Sequence, residues 1–312
     1  MVGSWAVRRL VDEDAYVVSL IRDADPQSEL LRSRTIERTS VVNGRLEDYD
    51  TLERAVNEHE VDTVLHLGAQ TIVGTALRSP MQTLQANVAG TWNVLEAARV
   101  HSGLVRRVVV ASSDKAYGTV AELPYREDMP LRGTAPYEVS KSCTDLVCAS
   151  YAVTYGTPVA ITRCGNIYGG GDLNWSRIVP GTIRSLLQGE QPVLRSDGTF
   201  LRDYLHVEDV VDAYLVTAQA LDGNVAPGEA FNFSDEKPLS VLDIYGAVCQ
   251  AVVGQDVEPR ILGQAKDEIK DQYLDASKAR AQLGWGASWS LDRGLAQTVD
   301  WYRALLKGGG SR

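Results

Sequence analysis

The chain has 312 residues, of which 44% are hydrophobic and 23% charged, so it can build one large α/β domain or a domain with a smaller lobe. Its formal net charge of -10 and its pI near 5.0 argue against a nucleic-acid-binding or anionic-membrane surface. Cys143, Cys148, Cys164 and Cys249 form no CxxC pair, and none of the four histidines stands at metal-ligand spacing. We therefore expect reduced packing thiols in a cytoplasmic protein, with no metal site and no membrane span.

Short apolar runs alternate with helical patterns through the first half of the chain. The predicted strands are 16–21, 40–42, 63–67, 108–111 and 159–162, and the predicted helices are 3–13, 48–58, 80–101 and 136–155. The strand runs are nearly continuous in apolar residues, as is typical of strands covered on both faces. The alternation predicts an α/β fold with a doubly wound, parallel, Rossmann-type sheet.

The pattern changes near residue 165, where a glycine-rich loop begins. Residues 1–164 are predicted to form an NAD(P)-binding Rossmann domain, and 165–306 mainly a substrate-binding lobe, with some elements returning to the first domain. Residues 307–312 are predicted to be a disordered tail. In this lobe the predicted helices are 178–188, 207–221, 240–252, 276–283 and 290–306, with strand-like pieces at 192–194, 203–206 and 230–233. Ligands of such folds bind beyond the carboxyl ends of the strands.

Gly3 opens an amphipathic helix after only two residues. A dinucleotide site of this class has a strand, a glycine-rich turn and then a helix, and Gly3 fits the last glycine, which allows close packing of helix and strand. The first strand, central between the second and fourth, is then expected to be missing together with two glycines. Its loss would leave backbone groups unpaired on both neighbours. A truncated start explains this pattern, and a repacked chain that never had the strand is the alternative.

The chemistry-bearing residues follow the strand at 108–111. Ser113, Asp114 and Lys115 come directly after it, and Tyr137 and Lys141 stand four apart on one face of the helix 136–155. An ammonium beside a phenol favours the phenolate, so we expect Lys141 to lower the pKa of Tyr137. The Ser113 hydroxyl can bind the same substrate oxygen that Tyr137 deprotonates.

Four further motifs accompany these residues: 66–70 (HLGAQ), 87–93 (NVAGTWN), 202–209 (RDYLHVED) and 277–285, which contains Ser277-Lys278-Ala279-Arg280 and Leu283-Gly284-Trp285. With them the chain, from Gly3 to Tyr302, resembles the extended short-chain dehydrogenases, the NAD-dependent epimerases and dehydratases of nucleotide sugars. The resemblance implies a bound NAD and a nucleotide-diphosphate sugar as partner. It implies cofactor contacts from Gly3, Arg22, Asp23, Leu46, Leu67, Gly68, Ala69, Tyr137 and Lys141.

The resemblance also implies roles for the catalytic residues. Tyr137 would take the sugar hydroxyl proton, Lys141 would hold the nicotinamide ribose, and Ser113 would bind the reacting oxygen. Ser113-Asp114-Lys115 resembles the CDP-glucose 4,6-dehydratase branch, because dehydration needs an additional acid and base. The alternatives are a nucleotide-sugar 4-epimerase and, in another class, a catalytically silent binding or structural homologue. Asp114 and Lys115 could also be only a loop ion pair.

The resemblance also implies which residues contact the substrate pyrophosphate and the ribose of the cofactor. Asn166, Arg177 and Arg202 stand where the family holds the substrate pyrophosphate. At the end of the second strand Asp23 suits NAD, whereas Arg22 suits the additional phosphate of NADP. Arg45 replaces an aspartate that the family commonly has near the adenine. The family commonly forms homodimers through two long helices, one of which carries Tyr137.

Overall fold

The computed structural model describes residues 1–264 and 269–308. Its strands are β1 (Val18–Ile21), β2 (Ser40–Asn43), β3 (Thr63–His66), β4 (Arg107–Ala111), β5 (Val159–Cys164), β6 (Asn166–Tyr168), β7 (Val193–Leu194), β8 (Leu201–Arg202), β9 (Tyr204–His206), β10 (Ala230–Phe233), β11 (Leu239–Ser240) and β12 (Arg260–Ile261). Its helices are α1 (Val2–Asp12), α2 (Glu29–Arg32), α3 (Tyr49–Glu58), α4 (Val73–Arg78), α5 (Pro80–Leu84), α6 (Gly90–Val100), α7 (Pro136–Tyr155), α8 (Ile178–Leu187), α9 (Val207–Ala220), α10 (Val241–Val253), α11 (Ser277–Leu283) and α12 (Leu291–Gly308).

The main sheet is parallel and has the order β10-β5-β4-β3. Every residue of β5 is buried, because helices cover both faces of this central strand. The helices α6 and α7 pack on one face through Leu95, Ala98 and Cys148, and α9 packs on the other through Val210 and its neighbours. The predicted doubly wound parallel fold is therefore confirmed.

A second parallel sheet contains only β1 and β2. Among the described residues no backbone ladder joins β1 to β3, although Leu20 and Val64 belong to the same apolar cluster. The break lies between β1 and β3, the two strands that were expected to flank the missing first strand. The hydroxyl oxygen of Ser19, in the middle of β1, is buried without a hydrogen-bond partner among the described residues.

Two expectations for the amino-terminal half are wrong in detail. The helix expected over 80–101 is divided into α5, a π-helical turn at Gln85–Ala89 and α6. Gly3 lies inside α1, and a methyl group placed on it would meet no atom within 4 Å, so close packing does not require glycine there. The short helices α2 and α4 escaped the sequence analysis because four to six residues do not establish a periodicity.

The carboxyl-terminal half builds a lobe from α8, α10 and α12 around Ile183, Ile244 and Tyr302. Within it β10 and α9 return to the main sheet. The expectation of a disordered tail is wrong for Lys307 and Gly308, which form the last residues of α12. Residues 309–312 of that tail lie outside the described residues. In the described part of the chain no helix is both long and apolar enough to span a membrane.

Candidate active site

The turn after β4 carries the first group of candidate catalytic residues. Ser113 precedes a 3-10 turn at Asp114–Tyr117, and the backbone N–H of Lys115 donates to Ser113 Oγ at 3.2 Å. Ser113 Oγ itself donates to Asp114 Oδ1 at 2.8 Å, and the Asp114 side chain is almost fully buried. Lys115 Nζ lies 3.6 Å from Asp114 Oδ1, so the ion pair considered above is present. These three residues form one connected cluster.

Tyr137 is the second residue of α7, which packs against this turn, and it is buried. Burial and then the charge of Asp114 raise its pKa to about 12, while hydrogen bonding to Ser113 and the charge of Arg177 act in the other direction. The expected lowering by Lys141 is therefore wrong for this structure. Lys141 Nζ donates to the carbonyl of Ala111 at 2.6 Å, and burial lowers the pKa of Lys141 to about 8.

The loop after β3 is fixed to α7 by one asparagine. Asn87 Oδ1 accepts from the backbone N–H of Gln70 at 2.7 Å, and Asn87 Nδ2 donates to Ser140 Oγ at 2.9 Å. Asn87 lies in the π-helical turn, a feature often found at functional sites. His66 contacts Thr91 Oγ1 through Nε2 at 3.1 Å, and burial, then the charge of Lys141, lowers its pKa to about 3, which keeps the ring neutral.

A buried ion pair next to the Asp114–Tyr117 turn was missed by the sequence analysis. Arg163 on β5 donates to Asp145 Oδ1 at 2.6 Å and to Tyr117 Oη at 2.7 Å, and Tyr117 donates to Asn232 at 2.7 Å. Asp145 lies four residues after Lys141 and also accepts from Ser112. An acidic residue on the same helix face as Tyr137 and Lys141 is a signal that could have indicated it.

A cavity of about 400 Å³ opens beside the ends of β1 and β2 and is lined in part by Arg22, Arg45 and Gln70. Arg22 Nε lies 2.5 Å from Asp23 Oδ2, and both side chains are exposed. Leu46 packs so closely beneath Gly68 that a methyl group on Gly68 would lie 2.9 Å from it. Leu67, Gly68 and Ala69 lie in the loop after β3, between His66 and the cavity-lining Gln70.

The residues expected to contact a dinucleotide fall into two groups, one around this cavity and one at Ser113, Tyr137 and Lys141. The amino end of α1 is preceded by Met1 as its N-cap residue. Burial lowers the pKa of the Met1 amine, and the charges of Asp172 and Arg177 act on it in opposite directions. In the described residues Gly3 thus lies within the helix and not in a phosphate-binding turn.

The three candidate phosphate-binding residues differ in their surroundings. Arg177 Nη1 pairs with Asp172 Oδ2 at 2.9 Å and is partly exposed. Arg202 donates to the backbone carbonyls of Leu201, Ile269 and Lys270. Asn166 begins β6, and its backbone N–H donates to the carbonyl of Asp203 at 3.1 Å. Arg177 is the one whose charge acts on Tyr137.

Comparisons with known proteins agree with this geometry. The family model described as GDP-mannose 4,6 dehydratase matches residues 1–298. A CDP-glucose 4,6-dehydratase from Salmonella typhimurium is 30% identical over 98% of this chain and 89% of its own length. A crystal structure of a dTDP-glucose 4,6-dehydratase from Streptomyces venezuelae, with NAD and TYD bound, has a TM-score of 0.86 and 28% identity, covering 97% of this chain and 94% of that one.

A structure of a UDP-glucose 4-epimerase from Thermotoga maritima, with UDP-glucose, has a TM-score of 0.88 and 26% identity over 98% of this chain and 96% of that one. The family match covers most of the chain, and it agrees with the motifs that surround Ser113 and Tyr137. The chain therefore belongs to the GDP-mannose 4,6-dehydratase family, among the NAD-dependent epimerases and dehydratases of the extended short-chain dehydrogenases.

Proposed function

We propose that this protein is a nucleotide-sugar 4,6-dehydratase that takes a CDP-glucose-like substrate. The observation that carries the proposal is the cluster of buried Ser113 and Asp114 with half-buried Lys115, facing Tyr137. Epimerisation at carbon 4 needs one acid–base residue, whereas loss of water needs an additional acid and base. The similarity to the CDP-glucose and dTDP-glucose 4,6-dehydratases supports the same reaction.

The chain's own residues divide the proton transfers among them. Tyr137 takes the proton of the sugar 4-hydroxyl while Ser113 holds that oxygen. The Lys115 ammonium first passes a proton to the Asp114 carboxylate, 3.6 Å away, which makes Lys115 a base and Asp114 an acid. Lys115 then takes the proton from carbon 5, and Asp114 gives its proton to the 6-hydroxyl, whose oxygen leaves as water. Lys115 returns a proton to carbon 5, and the proton that Tyr137 took restores the Lys115 ammonium through solvent, so that the net change is the loss of one water. When bound, the nicotinamide cofactor supplies the oxidation at carbon 4 and the matching reduction at carbon 6.

We propose NAD as the cofactor, with Asp23 on the ribose diol and Leu46, Leu67, Gly68 and Ala69 as further contacts. The NAD recorded in the Streptomyces venezuelae structure supports this assignment. Arg22 and Arg45 on the same cavity favour NADP as the second candidate. Titration of the protein with each dinucleotide, in wild type and in Asp23→Asn and Arg22→Ala, separates the two: weaker NAD binding in Asp23→Asn supports NAD.

One panel of assays tests the reaction. Purified protein with NAD is incubated with CDP-glucose, UDP-glucose or GDP-mannose, and the alkaline enone absorbance of a 4-keto-6-deoxy sugar is measured. We expect it with CDP-glucose, and Asp114→Asn should reduce it by about 10²–10⁴-fold. A product inverted at carbon 4 would favour the epimerase, which the similarity in shape to the Thermotoga maritima enzyme keeps as the second candidate. Binding without turnover would favour a silent homologue.

We further propose that the partner protein is a second copy of this chain. Leu146 and Val153 lie seven residues apart on one face of α7 and are 65% and 86% exposed, and Met81 on the neighbouring α5 is 68% exposed. Sedimentation should therefore detect a dimer that Leu146→Glu with Val153→Glu converts to monomer. The free cysteines in the described residues agree with a reducing, cytoplasmic location.

A further inference from the structure

The segment around Gln272 runs between the substrate lobe and the catalytic turn and is held on both sides. The backbone N–H of Gln272 donates to the carbonyl of Leu201 at 3.0 Å, and Asp271 Oδ1 accepts from the N–H of Leu201 at 3.0 Å. Two residues later the N–H of Leu274 donates to Asp203 Oδ2 at 2.8 Å. These hydrogen bonds fix the backbone position from which the Gln272 side chain extends.

The carboxamide of Gln272 reaches the catalytic turn and is 2% exposed. Its Oε1 accepts a hydrogen bond from Lys115 Nζ at 3.4 Å. The same amine lies 3.6 Å from Asp114 Oδ1. Lysine has four rotatable side-chain bonds, so a second acceptor narrows the directions in which its amine can point. Gln272 and Asp114 together therefore confine Lys115.

The two acceptors differ in what they do to the amine. A carboxylate favours the charged form of a neighbouring amine, whereas a neutral carboxamide oxygen accepts a hydrogen bond from either form. Gln272 can thus hold the amine in place while the amine gains and loses a proton. The charged groups near this pair are Asp114, the buried Asp203 and Arg202, which is the bridge partner of Gln272.

The Gln272 carboxamide also lies beside Tyr125, whose pKa it acts to lower against the larger effect of burial. Among the described residues its Nε2 makes no hydrogen bond of normal geometry, whereas its Oε1 accepts from Lys115. We propose that Gln272 is a positioning residue that acts through Lys115 and aims its amine at carbon 5 of the sugar. This inference rests on the proposed dehydratase function.

The Gln272–Lys115 contact can be tested without turnover. The rate of Lys115 acetylation by acetic anhydride, measured by peptide mass spectrometry against the other lysines, should rise severalfold in Gln272→Leu. The matched control is Gln297→Leu, because Gln297 also has one buried unpaired atom and binds a charged side chain, Glu208, through its other end. Unchanged Lys115 labelling in Gln272→Leu, or an equal rise in the control, would overturn the inference.

Isotope effects test the role in the reaction. With Gln272→Leu we expect turnover to fall by about a hundredfold, the loss that a small misplacement of a reacting group causes. Deuterium at carbon 5 should then slow the reaction more than in wild type, and deuterium at carbon 4 less. Gln272→Glu, which retains an acceptor, should recover part of the rate. If Gln272→Leu leaves the ratio of the carbon-5 and carbon-4 isotope effects as in wild type, Gln272 has a structural role and the inference is overturned. If wild type itself forms no product, the dehydratase function is refuted instead.

Discussion

The charge of Asp114 acts on Tyr137, in addition to the proton transfer proposed for Asp114. A negative charge disfavours a neighbouring phenolate, and Asp114 is the second cause, after burial, of the raised pKa of Tyr137. In Asp114→Asn that charge is absent, so the pKa of Tyr137 should fall below its value of about 12. Titration of ¹³C-labelled tyrosine by NMR, with the signal assigned by Tyr137→Phe, measures it. Asp128→Asn, an exposed carboxylate, is the control, and an unchanged or higher Tyr137 pKa would contradict the expectation.

Asp203 gives the protein a dependence of stability on pH. Burial raises its pKa to about 7, and Oδ1 has no hydrogen-bond partner among the described residues. A raised carboxyl pKa means that the folded state binds the proton more tightly, so its contribution is fully present below about pH 4 and is lost as the pH rises through about 7. The full difference amounts to about 4 kcal/mol.

The variant Asp203→Asn removes this titration while it keeps an acceptor for the Leu274 N–H. In urea unfolding, the free energy of unfolding of Asp203→Asn should increase relative to that of wild type as the pH rises from 4 to 8. A constant difference between the two proteins over this range would show that Asp203 does not titrate there.

At the scale of residues, the sequence was sufficient to predict that Ser113 and Asp114 follow a strand and that Tyr137 and Lys141 share a helix face, because strand ends and helical spacing are local properties. The direction in which the pKa of Tyr137 shifts could not be predicted from the sequence, since desolvation depends on which residues cover the phenol. Gln272 and the Arg163–Asp145 pair also depend on contacts between distant segments.

Gly90, at the start of α6, lies against Leu46, one of the proposed cofactor contacts. A methyl group on Gly90 would lie 2.6 Å from Leu46 Cβ, whereas one on Gly246, inside α10, would meet no atom within 4 Å. Both substitutions to alanine gain helix propensity of up to about 1 kcal/mol. We expect Gly246→Ala to stabilise the protein, and Gly90→Ala to lose about 1–3 kcal/mol through overpacking.

Thermal unfolding of the two variants gives the comparison directly. Leu46→Gly removes the Cβ atom that the methyl group would meet, so Gly90→Ala should cost less stability in the Leu46→Gly background than in wild type. Equal melting temperatures for Gly90→Ala and Gly246→Ala would contradict the packing described for Leu46.

At the scale of elements, periodicity predicted most helices to within about two residues, as it did for α7 and α10. The π-helical turn in 80–101 was missed because the prediction assumed a single α-helical period over the whole range. That turn carries Asn87, the residue that ties the loop after β3 to α7.

For the molecule as a whole, the divided sheet separates the ends of the proposed cofactor site. Arg22 and Asp23 follow β1 in the small sheet, whereas Ser113 follows β4 in the large one. Side chains such as Leu20, Leu46 and Val64 join the two parts, but backbone hydrogen bonds do not in the described residues. The relative position of adenosine and nicotinamide contacts therefore depends on side-chain packing.

This division has a consequence for amide hydrogen exchange. A two-stranded unit is marginal alone, and protein segments open with free energies that range from near zero to the global value. The amides of Val18–Ile21 and Ser40–Asn43 should therefore exchange through a local opening, faster than those of the fully buried β5. NAD should slow exchange in the small sheet most, because its proposed site includes both parts. Equal protection of β1 and β5 without NAD would show that the sheets open as one unit.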